Sequence, residues 1–359
     1  MSERLTSSLT QNGKQPVVLS NRNVVINGAM QVAQRSTSVA GITTAGYRTA
    51  DRWSFEPSAM GTWTQSQEAD APTGSGFRNS LKLLCTTADA SPAASDALAF
   101  MQKFEGQNVQ QFLKGTSSAK QFSLTFWVKS NATGTYNVEL IDNDNSRIVS
   151  AAYTISASAT WEKKTITFPA DTTGAFDNDN ADSMDLLWWL GAGSTFTSGT
   201  RDTLWGTTVS ADRAVGQTNL AAATSNYWQI TGVQLEAGAV ATPFEFEDIG
   251  TTLAKCQRYY TRYTAGVLAS SVIATNTTVF EGTIPLIVAM RTTPTTLDSS
   301  STRISDSTNI TNTATLVLNT SNSSSKSVYL TGTVASGLTA FRPYFFSTNG
   351  GYYGFSAEL

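Results

Sequence analysis

Apolar side chains recur at every second position in one short segment after another, and any fold of this chain must satisfy that period. In FSLTFWVKS, Phe122, Leu124, Phe126 and Val128 fall on one face of an extended strand. LKLLC, YNVELID, AAYTIS, KKTITFP, MDLLWWLG and YWQITGVQLEA read the same way, separated by Gly, Asn, Asp, Ser and Thr clusters that suit turns. In YWQITGVQLEA the apolar parity changes beside Gly232, which predicts a β-bulge there. Charged residues make up only 14% of the chain. That is too few to wet the outer faces of many helices, whereas Thr suits a half-exposed pleated surface. The expectation is an all-β protein.

Composition also removes whole classes of chemistry. The 359 residues include no histidine, so His general bases, Ser-His-Asp or Cys-His nucleophiles and His metal ligands are absent. A pair of carboxylates remains the one common hydrolytic device available. No regular repeats of a parallel β-helix are present, and no catalytic residue and no enzymatic activity are expected. Two cysteines, Cys85 and Cys256, are too few for a disulfide framework or a four-Cys zinc site and read as buried thiols. With 27 acidic and 24 basic residues and no Lys/Arg run, the sequence lacks a nucleic-acid footprint. No window approaches a membrane span, and MSERLTSSLT lacks the apolar core of a secretory signal, so membrane insertion is not expected.

The chain divides into four parts. Residues 1–23 read as a polar arm. Residues 24–248 read as a jelly-roll β-sandwich, within which FMQKFEGQNVQQFLKG has helical spacing through Phe100, Phe104, Gln107 and Gln111. Residues 249–265 read as a linker helix, with Leu253, Cys256, Gln257 and Tyr260 on one stripe and Asp248 or Thr251 as its cap. Residues 266–359 read as a second, smaller β-sandwich.

Several residues invite a functional reading. Trp188 and Trp189 are neighbours on a strand and must point to opposite faces, so one leaves the core unless both faces are covered. Tyr352 and Tyr353 pose the same question. Trp63, Trp205 and Tyr352 lie in Gly- and Thr-rich contexts that suit loops. These six residues are candidates for sugar stacking or for contacts between subunits. Asp177 and Asp179 lie in a DNDN string and Glu236 closes a strand; together they are candidate ligands for a structural Ca²⁺, and no other cofactor is expected.

Five blocks, NVVINGAMQVAQR, YRTADRW, GTSSAKQFSLTFWVKSNATGTYNVELID, SATWEKKTITFPADTTG and ITGVQLEAGAVATPFEFEDIGTTLAKCQRYY, occur in this order. Together they resemble the carbohydrate-binding-module-like jelly roll of bacteriophage virion proteins of the tail-fibre and appendage type. The closing YYGFSAEL is similar to the end of receptor-binding tip domains. The resemblance implies a structural virion protein, made in the host cytoplasm, that assembles as a homotrimer. It implies that residues 1–23 attach to other virion proteins and that the C-terminal unit meets a host-surface glycan. A capsid head fibre or decoration protein that braces the shell uses the same module and is the alternative. A free carbohydrate-binding module of a secreted enzyme is disfavoured, since neither a signal peptide nor a catalytic domain is read. Long fibres of this type carry an extended N-terminal attachment region, whereas the arm here is short.

Overall fold

The computed structural model describes residues 21–264, 268–306 and 310–359. Most of the expected N-terminal arm lies outside these residues. The described chain is almost entirely antiparallel β-structure in three sheets.

The first unit contains β1 (Ser38–Ile42), β2 (Gly46–Tyr47), β3 (Ser54–Ser58), β4 (Thr62–Glu68), β5 (Ser80–Thr87), β6 (Ala97–Glu105), β7 (Phe122–Ser130), β8 (Gly134–Asp142), β9 (Arg147–Ile155), β10 (Glu162–Phe168), β11 (Asp182–Ala192), β12 (Gly206–Thr207) and β13 (Tyr227–Ala237). They form a six-stranded sheet, β1-β4-β5-β13-β7-β10, and a seven-stranded sheet, β12-β9-β8-β11-β6-β3-β2. One continuous core lies between them. It is aromatic at its centre: Trp53 stacks on Phe100 at 5.0 Å between ring centroids, and Trp188 meets Phe126 edge-on at 5.4 Å. Such pairs add about 0.5–1.5 kcal/mol each beyond the area they bury. The expected jelly-roll sandwich is this unit.

One helix expected within it is absent. FMQKFEGQNVQQFLKG continues β6 to Glu105 and then makes two short 3₁₀ turns, Gly106–Asn108 and Gln110–Phe112. The spacing from Phe100 to Phe104 fits a strand as well as a helix, because four is a multiple of two. Leu98, Phe100 and Phe104 face the core, and Gln102, also buried there, exchanges two hydrogen bonds with the backbone of Ile26. Gly106 lies so close to the Asp177 carbonyl that a Cβ would not fit there.

Two helices follow the sheets' logic. The single turn α1 (Ser194–Thr197) helps cover the outer face of the seven-stranded sheet, and α2 (Ile249–Gln257) leads to the second unit. Asp248 caps α2 by accepting hydrogen bonds from the Gly250 and Thr251 amides, as its position in sequence predicts. Tyr260 lies past the helix and opens a strand.

The second unit contains β14 (Tyr260–Thr264), β15 (Leu268–Ala274), β16 (Val279–Pro285), β17 (Thr296–Ser305), β18 (Ile310–Asn312), β19 (Thr315–Asn319), β20 (Ser327–Thr333) and β21 (Pro343–Ser356). The order is β18-β17-β21-β15-β16-β20-β19, with β14 also on β21. The sheet curls until β19 returns against β17, and its inner face wraps a separate core. The segments AFRPYFFS and YYGFSAEL are not two strands, because β21 runs through both.

The units are tied by arginines. Arg258 forms a two-pronged ion pair with buried Glu105 at 2.8 and 2.7 Å. Arg52, 1% exposed, pairs with Glu358 near the C-terminus and lies 3.4 Å from the Tyr259 ring centre. Arg35 also reaches Glu358 and stacks on Tyr260 at 3.6 Å.

Candidate functional site

The residues singled out in sequence do not converge. Trp63, Trp188 and Tyr353 are fully buried in their cores, so none presents a ring to a ligand or a second subunit. Trp63 is on a strand instead of a loop, and its Nε1 donates to the Met60 carbonyl at 2.7 Å. Trp189 leaves the core as its parity requires, but its own chain covers it: Phe196 of α1 lies 5.2 Å from its ring and Arg213 5.1 Å. Trp205 is half-buried and closes one end of the sandwich, with its Nε1 donating to Pro169 at 2.9 Å. Tyr352 is stacked under Arg262 at 3.3 Å.

The three candidate metal ligands are also apart. Asp177 and Asp179 lie on an exposed turn, where the Asp177 amide donates to Asp144 and Asp179 accepts from the Ala181 amide. Glu236 is buried at the end of β13, occupied by Thr242, Gln234 and Arg22. Among the described residues, no three carboxylates or thiols gather as a metal site.

The face that does collect binding chemistry is the outer side of the six-stranded sheet. Period two sends Phe126 and Val128 inward, so Trp127 and Lys129 project outward. The same rule turns Tyr227 and Gln229 outward on β13 while Trp228 and Ile230 enter the core. Strand register then lines these side chains up. Lys129 lies opposite Gln229, which lies opposite Lys82; Trp127 lies between Thr231 and Lys163. Trp161 stands beside Lys129, with the ammonium 5.6 Å from its ring centre. The result is three half-buried aromatic rings, Trp127, Trp161 and Tyr227, interleaved with polar side chains.

Asp70 is the polar hub of this face. Lys129 donates to it at 2.6 Å, Gln229 at 3.2 Å and the Trp161 Nε1 at 3.2 Å. The Ser80 hydroxyl anchors the loop by donating to the Asp70 carbonyl. Partial burial pushes the Asp70 carboxyl up, but the hydrogen bonds from Lys129, Trp161 and Gln229 outweigh it and hold the group below the usual range. Asp70 is therefore an ionised acceptor at neutral pH and cannot serve as a general acid.

The bulge beside this row is built on glycine. Register shifts between Thr231 and Gln234, and Gly232 has φ +63°. A Cβ there would fall 2.6 Å from Phe77 and 3.1 Å from Trp127. Only glycine lets these rings close over the strand. Phe77 in turn packs on Phe244 and Phe246, at 4.8 and 5.2 Å. On the other side of Trp127 lies a groove of about 520 Å³, lined by Thr125, Lys163, Thr165, Thr167 and residues 239–243.

One other carboxylate pair has unusual electrostatics. On the outer face of the seven-stranded sheet, burial and the neighbouring Asp182 both raise the Asp185 carboxyl. Asp185 is only 6% exposed and Asp182 is paired with Lys103 at 3.0 Å, so the two do not flank an open cleft.

Sequence reasoning missed Trp127, Trp161 and Tyr227. The signal for two of them was present in the alternation that put their neighbours in the core.

No family model matches the chain, and no curated protein matches it. Among solved structures, it is similar over 60% of its length to the enzymatically active domain of tailspike protein 4 of bacteriophage CBA120, with 15% identity and a TM-score of 0.32. It covers 21% of that longer chain. Over 57% of its length it is similar to a family 11 carbohydrate-binding module from Clostridium thermocellum in complex with a β-1,3-1,4-mixed-linked tetrasaccharide, at 11% identity and TM-score 0.30, covering 98% of that chain. Over 60% it is similar to TmCBM61 in complex with β-1,4-galactotriose, at 8% identity and TM-score 0.31, covering 99% of that chain. No helix among the described residues is long and apolar enough to cross a membrane.

Proposed function

We propose that this chain is a non-catalytic, carbohydrate-binding structural protein of a bacteriophage virion, working in attachment to the host surface. The carbohydrate reading is carried by one observation: Trp127, Trp161 and Tyr227 share the outer sheet face with the Asp70–Lys129 pair, which buried Gln229 supports from beneath. A pyranose stacks its C–H face on an aromatic ring, while its hydroxyls donate to a carboxylate and accept from an ammonium group. The arrangement supplies both halves of that recognition. It supplies no proton donor poised near neutral pH, which supports binding without turnover.

The virion part of the proposal rests on the five ordered sequence blocks that resemble tail-fibre and appendage modules. In this reading the protein is a homotrimer. A single shallow sugar site binds at about millimolar Kd, or roughly −4 kcal/mol, and three linked sites raise avidity by about 10²–10⁴.

The test is affinity electrophoresis and calorimetry of the purified protein against host-surface polysaccharides. Wild type is expected to bind one of them. Trp127→Ala and Trp161→Ala are each expected to weaken binding about tenfold, near 1.4 kcal/mol, with the melting temperature unchanged. Binding that survives both substitutions would remove this face from the function.

A further inference from the structure

We infer that the ligand of this face is an anionic polysaccharide, a pyranose chain that carries carboxylate or phosphate groups. The inference rests on the carbohydrate reading above and narrows it.

The argument is one of charge placement. The chain as a whole carries more acids than bases, 27 against 24. The aromatic face departs from that balance. Lys129 is neutralised by Asp70, but Lys82 and Lys163 have no carboxylate partner among the described residues. Both project from the outer side: Lys82 lies opposite Gln229 on the neighbouring strand, and Lys163 opposite Trp127. The Lys82 ammonium stands 4.8 Å from the Tyr227 ring centre, and Lys163 also lines the groove beside Trp127. Of the carboxylates on the same face, Asp70 is paired with Lys129, Glu236 is buried beside Arg22, and Glu68 at the end of β4 accepts from the Ser66 hydroxyl and keeps its charge, so the three lysines still outnumber the acids they face. Each free ammonium therefore accompanies a ring, so a sugar stacked there meets a cation at its edge.

The distance between the two lysines sets the ligand's length. Lys82 on β5 and Lys163 on β10 are separated by three interstrand spacings and a two-residue register offset, about 16 Å. One monosaccharide cannot touch both, whereas a short stretch of polymer can. Asp70 sits between them, and its role separates sugar from nucleic acid. A carboxylate accepts hydrogen bonds from sugar hydroxyls and repels the closely spaced phosphates of a nucleic-acid strand. Two unpaired lysines are also too few to neutralise a nucleic-acid strand. The chemistry fits a hydroxyl-rich chain with widely spaced negative charges.

The experiment uses the full chain and four probes: polygalacturonate, a phosphomannan, neutral dextran and single-stranded oligo-dT. Binding is measured by affinity electrophoresis across about a tenfold range of NaCl, over which screening changes substantially. One or both of the anionic polymers are expected to bind, with affinity falling as salt rises. The double substitution Lys82→Gln/Lys163→Gln is expected to weaken that binding about tenfold and flatten its salt dependence. Lys82→Arg/Lys163→Arg is expected to restore both, and melting curves check that each variant folds. Salt-independent binding of dextran that the double substitution leaves intact would overturn the inference while sparing the carbohydrate reading. If wild type binds none of the three polymers and no host-surface polysaccharide, the carbohydrate reading itself falls. Preference for oligo-dT would overturn both.

Discussion

At the scale of single residues, position on a strand decides what a side chain does, and local composition misleads. Trp63 sits among Gly and Thr, yet it is on β4 with Gln65 and both point into the core. Trp127 sits in an apolar run, yet it faces out. Parity was legible for Trp127 and Tyr227; the partner positions that line them up with Trp161 and Asp70 depend on strand register, which a single sequence does not state. Buried ionisable residues were equally hidden. Asp51 is 1% exposed, and burial pushes its carboxyl up to about 6, against the pull of Arg35 and the hydrogen bonds from Gln34. In an unfolded chain the same group titrates near 3.9. Between those values the folded state holds more protons, so stability falls as pH rises through that window. Urea unfolding at pH 4 and pH 7 is expected to show wild type losing about 2–3 kcal/mol more than Asp51→Asn over this interval. An identical pH dependence for the two proteins would contradict the burial argument.

At the scale of elements, the strands and the cap of α2 follow from alternation and turn chemistry. The bulge predicted at Gly232 is present and does more than bend β13. It makes room for Phe77 and Trp127, and so positions the rim of the binding face. Gly232→Ala places a Cβ in left-handed backbone and against both rings. It is expected to cost about 1–3 kcal/mol in unfolding free energy and to weaken polysaccharide binding by moving Trp127. A variant as stable as wild type with full binding would show that the bulge does not support the face. The helix expected over FMQKFEGQNVQQFLKG failed because period four serves strand and helix alike, and only the sandwich core distinguishes them. The two segments fused in β21 were hard to join in sequence because Asn349, Gly350 and Gly351 look like a turn, whereas β21 continues through them as one long strand.

At the scale of the whole molecule, two β-units and a connecting helix were legible from the spacing of turn clusters. Their junction was not. It depends on charged residues far apart in sequence, Arg52 and Arg35 with Glu358, and Glu105 with Arg258. Those pairs hold the second unit against the sandwich, while the aromatic face lies on the broad side of the six-stranded sheet. The polar cleft between the sandwich and α2, lined by Asn23, Gln107, Lys255 and Arg258, is a different surface with no free ring row. The most direct measurement is a crystal structure of the chain with an oligosaccharide cut from the polymer it binds. The account predicts a sugar ring stacked on Trp127 or Trp161, with a hydroxyl donating to Asp70. A sugar seated in the cleft between the sandwich and α2, with the aromatic face empty, would contradict it.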